Sequence, residues 1–339
     1  MKVALDATPL LEPTGGIRRY TLELAAALSR EFPEDEILLV SDQAYQQPDL
    51  LSVRFVQVSS QRWWSQGLPA WLRAEQIDVF HGTDFAVPYL PVRPSVMTVH
   101  DLSPWRLQGS NRVRLRTPAL LHFGLATMVV TPSESVRREA IAMFHLQPEE
   151  VATTPLAASP HFRPIHLPPP ERPYFLYVGT IEPRKNLQVA LEAWRPLRCE
   201  ADFLIAGRAR KGHEIAPEPG LRRLGAVPEI DLPMLYSQSL AVVYPSLYEG
   251  FGLPVLEAMQ CGALVITSKD SAVTETACGA CLQVDPQGWP EAMRAVLNDP
   301  CLRTTYQHKA LARAAEFSWQ QTARLTHAVY AKALRRFHG

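Results

Sequence analysis

At 339 residues the chain is long enough for two domains of ordinary size. Apolar residues make up 47% and charged residues 20%, which excludes a disordered chain and supplies material for substantial cores. Lys and Arg together number 34 and so do Asp and Glu, so no net field draws the whole protein toward nucleic acid.

Short β-rich runs alternate with helical patterns through the N-terminal half, the mark of a parallel sheet wrapped in helices. Lys2 to Asp6 reads as a strand, followed by a loop ending in Gly15-Gly16 and a helix over 17–30. Further strands are predicted at 37–40, 53–58, 77–80, 95–99 and 128–131. The amides of Gly15 and Gly16 can approach a phosphate, although such a pair is often only a turn. His81 follows the third of these runs, and Thr98-Val99-His100-Asp101 closes the fourth, where side chains of a doubly wound sheet meet ligand. A lone His in either place fits a structural role as well as a catalytic one. Pro155, Pro160, Pro164 and Pro168-Pro169-Pro170 then interrupt regular structure.

The alternation restarts at 174–178 and continues through strands at 203–206, 241–244, 264–267 and 282–284, with a long helix over 319–337. Two parallel-sheet domains joined by a proline-rich hinge place a cleft between the C-terminal edges of their strands, where open α/β sheets bind ligands.

Two clusters follow strands in this second half. Gly179-Thr180-Ile181-Glu182-Pro183-Arg184-Lys185-Asn186 sets two adjacent cations beside a helix start, an arrangement that suits a diphosphate or, equally, a capped loop with solvated charges. It is not a Walker loop, since no G-x-x-x-x-G-K-[ST] occurs. Glu249-Gly250-Phe251-Gly252-Leu253-Pro254-Val255-Leu256-Glu257 follows the strand ending at Tyr244. Pro254 suits the first helical residue, and free amides of residues 251–255, the proline apart, would make an anion or hydroxyl site. Glu249 before the turn and Glu257 in the first helical turn can face one polyol. An acidic first turn favoured by the helix dipole explains the same residues.

Together these pieces resemble a family closely. With Gly15-Gly16, Thr98-Val99-His100-Asp101, Thr131-Pro132-Ser133, the 179–186 segment, the Glu249/Glu257 E-x7-E, Val284-Asp285-Pro286 and Phe317-Ser318-Trp319, the chain resembles retaining nucleotide-sugar glycosyltransferases of family 4, bacterial mannosyltransferases among them. The resemblance implies the GT-B fold: α/β, two Rossmann-like parallel-sheet domains facing each other across a deep cleft. The implied division is an acceptor domain over 1–167, a donor domain over 168–318, and a C-terminal helix over 319–339 crossing back to the first.

It further implies catalytic roles for His100, Glu249 and Lys185. Donor contacts would come from Gly15, Gly16, Thr180, Arg184, Lys185, Arg208, Glu249, Phe251, Gly252, Leu253 and Glu257. Lys185 and Arg184 would hold the diphosphate, the amides of 251–253 and Glu249 the sugar, and Glu257 the ribose. Many members carry a second phosphate-clamping Arg where this chain has Thr180, and Arg208 is the candidate replacement. Acceptor contacts are expected from His81, Asp101, Arg106 and Arg112.

No D-x-D triad occurs, so no metal is expected, and no cofactor beyond the donor itself, with a GDP-sugar first and a UDP-sugar second. The expected reaction moves a hexosyl group, mannose first, to a saccharide or lipid-linked saccharide. An epimerase-like enzyme of the same fold class and an inactive sugar-nucleotide binding protein are the alternatives. Residues 102–133 contain no Asp or Glu, so Arg106, Arg112, Arg114 and Arg116 beside Trp105 could meet anionic lipid or an acceptor diphosphate, or simply form a solvated face. Trp63, Trp64 and Trp71 fit an acceptor platform or, more commonly for tryptophan, core. The Met1-Lys2-Val3-Ala4-Leu5 start is not a secretion signal. The longest apolar tract, 120–130, carries His122 and is far too short to span a membrane. Five cysteines exclude a complete disulfide framework, and the Cys278/Cys281 pair reads as reduced thiols. The expected setting is cytoplasmic, with peripheral contact on the inner membrane face and no nucleic acid partner.

Overall fold

The computed structural model describes residues 1–12, 15–45, 53–106 and 111–338, the side chains of Asn111 and His338 excepted. The first part runs β1 (Lys2–Asp6), α1 (Gly16–Glu31), β2 (Glu36–Ser41), β3 (Val53–Gln57), α2 (Leu68–Ala74) and β4 (Val79–Gly82). It continues through β5 (Ser95–Thr98), α3 (Ser103–Arg106), α4 (Asn111–His122), β6 (Met128–Thr131), α5 (Glu134–Phe144) and β7 (Val151–Thr153). The second part runs β8 (Tyr174–Val178), α6 (Leu187–Trp194), β9 (Asp202–Ala206), β10 (Leu221–Gly225), α7 (Leu232–Gln238), β11 (Ala241–Tyr244) and α8 (Leu253–Gln260). Then come β12 (Val265–Ser268), α9 (Ser271–Ala277), β13 (Leu282–Val284), α10 (Trp289–Asn298), α11 (Pro300–Ala314) and α12 (Trp319–His338).

The chain divides into two compact units, Met1–Leu156 with Ser318–Gly339, and Ala157–Phe317. Residues 157–167 go with the second unit, where Gln260 Nε2 donates to the carbonyls of Ser159 (3.0 Å) and Phe162 (2.8 Å). In the first unit the described strands form a seven-stranded sheet in the order β3-β2-β1-β4-β5-β6-β7, every pairing parallel. In the second they form a six-stranded sheet, β10-β9-β8-β11-β12-β13, also parallel throughout. Runs such as Val-Ala-Leu in β1 and Ala-Val-Val-Tyr in β11 are apolar without alternation because both faces of a parallel sheet are covered.

Two strands escape the sequence reading. β7 has three residues and closes an edge. β10 reads Leu-Arg-Arg-Leu-Gly, an edge strand whose central arginines are exposed, so its apolar signal is thin. β4 begins at Val79 and includes His81, which the sequence places after the strand.

One core of the second unit lies where α6 and α10 cover alternate residues of the sheet, with Phe175, Tyr177, Phe203, Ile205 and Val243 meeting Trp194 and Trp289. In the first unit α12 packs along α1. Arg324 Nη2 lies 2.7 Å from Glu31, His327 lies 2.9 Å from Asp35, and the His327 ring stacks on Phe32 with centroids 3.6 Å apart.

Candidate active site

In the second unit the chain turns one way after β8, to β9 and β10, and the other way after β11, to β12 and β13. The loops leaving these adjacent strands therefore diverge, and the crevice they leave is where an open α/β sheet takes its ligand. Both sequence clusters of this half sit there.

After β8 the chain passes Gly179 and forms a single 3₁₀ turn, Pro183–Lys185, before Asn186 (φ 50°) redirects it into α6. Lys185 is thereby buried, although a lysine leaves water only when its ammonium is paired. Its Nζ donates to Glu249 Oε1 at 2.6 Å and to Tyr244 Oη at 2.9 Å, and lies 5.0 Å from the centre of the Tyr244 ring. Arg184 approaches the other carboxylate oxygen of Glu249 at 3.0 Å, donates to the Tyr248 carbonyl (2.9 Å), and bonds Glu182 through Nη2 (2.9 Å). Burial pushes the Glu249 carboxyl up, but the charges of Lys185 and Arg184, with bonds from Lys185 and Ser246, outweigh it and hold the group below the usual carboxylate range. Two cations of one loop thus meet the buried carboxylate of the other.

Asp270 braces this carboxylate from behind. Its Oδ2 accepts the Glu249 amide at 3.3 Å while Oδ1 caps α9 through the amides of Ala272 and Val273, both at 3.0 Å. Tyr244, Ser246 and Asp270 were not singled out from sequence. Asp270 before Ser271 is a legible helix cap, but nothing local ties it to Glu249.

Gly252 (φ 89°) occupies the left-handed region and is followed by α8, whose first residue is Leu253, so Pro254 is the second helical residue and not the first. The amides of Phe251, Gly252 and Leu253 find no acceptor among the described residues, whereas Val255 N–H returns to the Gly252 carbonyl at 2.9 Å and drops out of the expected set. Counting from Leu253, Glu257 lies in the second helical turn, not the first. It is buried and accepts a bond from Tyr236 Oη at 3.1 Å.

The loop after β9 lies against the loop after β8. Gly179 N–H reaches Ala206 C=O, Ile181 N–H reaches Arg208 C=O, and Arg210 N–H reaches Ile181 C=O, each at 2.9 Å. Gly207 permits this approach, because a Cβ there would stand 1.9 Å from the Gly179 carbonyl oxygen. Arg208 is consequently brought beside Thr180, both exposed.

In the first unit Gly15 and Gly16 open α1, and no atom of the described residues lies within 4 Å of where a Cβ would stand at either. His100 Nε2 lies 2.7 Å from the Thr83 carbonyl, and Tyr20 meets its ring edge-on at 4.9 Å. The carbonyl can only accept, so Nε2 is the donor of this bond. Asp84, not singled out from sequence, faces His100, Arg116 and Asp101, and burial raises its carboxyl.

One acceptor expectation is corrected, and two more residues have partners within the unit. His81 is fully buried, with its nitrogens 2.7 Å from Tyr330 Oη and 2.8 Å from Thr98 Oγ1, and burial drives its titration down to about 3, so it is a neutral core residue. Asp101 caps α3 by accepting the Ser103 amide at 2.8 Å. Arg106 has an acid after all, because the fold brings Glu139 within 3.2 Å. Arg112 stays exposed on α4. Arg116 turns inward over the Trp64 ring, at 5.7 Å, and Trp63 is buried in a core against which Trp64 and Trp71 pack, so the tryptophans are core and not a platform.

Two parallel-sheet units, one with paired cations and a carboxylate at its switch point, define the GT-B class of glycosyltransferases. The chain belongs to glycosyltransferase family 4: residues 14–161 match the family described as Glycosyltransferase Family 4, and residues 159–313 match Glycosyl transferases group 1. It is similar to O-antigen chain mannosyltransferase B of Escherichia coli, 30% identical over 94% of this chain and 97% of that protein. A D-inositol 3-phosphate glycosyltransferase of Thermobispora bispora is 26% identical over 81% of this chain and 70% of that one. Among solved structures, Anabaena Alr3699/HepE in complex with UDP and glucose matches with a TM-score of 0.77 at 16% identity, covering 97% of this chain and 99% of that one. WaaG, a glycosyltransferase involved in lipopolysaccharide biosynthesis, matches with a TM-score of 0.74 at 15% identity over 96% and 99%. The epimerase-like alternative gives way to these matches.

Proposed function

We propose that this glycosyltransferase moves a mannosyl group from GDP-mannose to a saccharide or lipid-linked saccharide during assembly of a bacterial surface polysaccharide, with retention and without a metal. The observation that carries the reading is the meeting of Lys185 and Arg184 with Glu249 at the second unit's switch point. Charge builds on the leaving diphosphate as the anomeric bond breaks, and fixed cations with the open amides of 251–253 answer it without reorganisation. Arg208, beside Thr180, supplies the second clamp. Glu249 faces the sugar and Glu257 the ribose, so the second unit takes the donor and the first, with His100, the acceptor. Mannose is supported by the name of the Escherichia coli relative, which matches nearly end to end.

Peripheral membrane contact belongs to the same reading. No helix among the described residues is long and apolar enough to cross a membrane. On α4, however, Leu115 is 77% exposed, and Phe123 just beyond its end is 73% exposed, with Arg112 and Arg114 exposed on the same helix. Apolar groups on a helix whose Arg112 and Arg114 meet no acid among the described residues suit the surface of an anionic bilayer holding a lipid-linked acceptor.

The test offers GDP-mannose and UDP-hexoses in parallel, with undecaprenyl-diphosphate-linked saccharides as acceptors and chelator in half the reactions. Transfer from GDP-mannose giving an α-linked product, unchanged by chelator, is the expected result. Transfer only from a UDP-sugar would overturn the donor, a β-linked product the retention, and loss by chelation restored with magnesium the metal independence. Donor binding without any turnover would leave the inactive binding protein.

A further inference from the structure

We propose that Thr276 is a positioning residue of the donor site, whose hydroxyl fixes the Phe251–Gly252 peptide so that the Gly252 amide is presented to an anion. The inference rests on the donor-site reading above and deepens it. Threonines inside helices commonly donate to the carbonyl four residues back, as Thr304 does to Pro300 (3.1 Å) and Thr326 to Thr322 (2.7 Å). Thr276, buried in the last turn of α9, instead donates across to the Phe251 carbonyl at 2.8 Å. A trans peptide is planar, so its N–H points opposite to its C=O. With the Phe251 carbonyl held against α9, the Gly252 N–H faces away from that helix. It is one of the amides that find no acceptor among the described residues.

The orientation needs a device because glycine does not choose it. Turning this peptide over changes ψ of Phe251 and φ of Gly252, which stands at 89°, and glycine accepts either sign of φ at similar cost. A flipped peptide would aim its carbonyl, an acceptor, where an anion is expected. The Thr276 hydroxyl opposes the flip, since the carbonyl would leave a buried donor unpaired. The helix is a firm base for this bond. Asp270 at its start takes the Glu249 amide at 3.3 Å, and a Cβ on Gly252 would stand 3.1 Å from Val273 Cγ2. At its end Arg313 of α11 donates to the carbonyls of Glu275 (3.0 Å) and Thr276 (2.9 Å). The turn is thus fastened to one helix twice, at Glu249 by a carboxylate and at Phe251 by a hydroxyl.

The experiment combines magnetic resonance with calorimetry on the full chain, isotope-labelled at the phenylalanine carbonyl carbons and the glycine nitrogens. Phe-Gly occurs only at Phe123-Gly124 and Phe251-Gly252, so two linked carbonyl–amide signals result, and the Gly124 signal of the first unit is the internal reference. Thr276→Val keeps the shape and removes the hydroxyl, whereas Thr276→Ser keeps the hydroxyl. Thr276→Val is expected to move the Phe251–Gly252 signal, leave Gly124 in place, and weaken inorganic pyrophosphate about 5–10-fold, the usual worth of one hydrogen bond. Thr276→Ser should return the signal and bring the affinity within about 2-fold of native. An unmoved Phe251–Gly252 signal in Thr276→Val would overturn the proposal. So would native affinity despite a moved signal, or no binding of pyrophosphate by the native chain. A serine variant as weak as the valine one would mark Thr276 as packing alone and overturn it too. Failure of the donor reading looks different: the variants behave as expected with pyrophosphate, but GDP binds the native chain no more tightly than pyrophosphate does.

Discussion

Glu249→Gln removes the charge that Lys185 and Arg184 share, at a site expected to gain positive character on the sugar as the donor bond breaks. Turnover should fall on the order of 10²-fold or more, with a modest change in nucleotide affinity. Glu257→Ala instead strips Tyr236 of its acceptor and the proposed ribose of its partner, so nucleoside-diphosphate binding should weaken by roughly 1.5–3 kcal/mol. Steady-state kinetics and calorimetry on the two variants separate the roles, and near-normal turnover for Glu249→Gln would defeat the assignment. Asp6 gives a prediction in pH. Burial raises its carboxyl from 3.8 to about 6, against the bonds from Thr8. Between those values the native chain keeps a proton that the unfolded chain releases, so the contribution favours folding below about pH 4 and is lost as pH rises to about 6. Asp6→Asn should flatten the fall of Tm across that window, and an unchanged slope would show that Asp6 does not titrate there. At this scale the sequence reveals the donor-loop residues because each stands beside a strand end marked by glycine. That Lys185 pairs with Glu249 is not legible, since the contact joins loops brought together only by the β8–β11 pairing.

Strands and helices with strong local signals are legible almost to the residue: β6, β8, β11 and β13 coincide with their predicted runs, and α1 extends one residue beyond each predicted end. Of the edge strands, β3 and β13 are read, but β7 is too short and β10 too polar to signal itself, as the two exposed arginines of β10 illustrate. The basic stretch 102–133 shows the same limit in charge. The absence of acids in the stretch is a sequence fact, yet Glu139 of α5 neutralises Arg106 and Phe85 and Trp64 draw Arg116 inward, leaving Arg112 and Arg114 outside. The membrane prediction therefore moves to α4 itself. Leu115→Glu with Phe123→Glu should abolish co-sedimentation with anionic vesicles while leaving thermal stability unchanged, since both side chains already face water. Arg112→Gln with Arg114→Gln should weaken binding in a manner that added salt reproduces. Equal sedimentation of all variants would remove the membrane from the reading.

Across the whole molecule the repeated βα alternation makes two parallel-sheet units legible, but not the company kept by the last helix, whose periodicity names no partner. Tyr330 shows what that helix contributes to the first unit. Its hydroxyl satisfies His81 at a place with no solvent, so Tyr330→Phe should lower stability by about 1–3 kcal/mol, read as a shift in denaturant midpoint. A shift below about 0.3 kcal/mol would mean that His81 finds another partner. His81→Phe in the Tyr330→Phe background should recover part of the loss, because no buried ring nitrogen then remains unpaired.

Because α12 belongs with α1, the first unit is written in two instalments separated by the whole of Ala157–Phe317. During synthesis the earlier instalment leaves the ribosome with the α1 groove uncovered and His81 short of Tyr330. At roughly 5–20 residues per second it waits on the order of 10–30 s for its closing helix. The second unit, continuous in sequence, can finish first. Nascent chains halted before residue 318 should therefore protect the second unit from protease while the first is still cut, reversing the usual N-to-C order of domain completion.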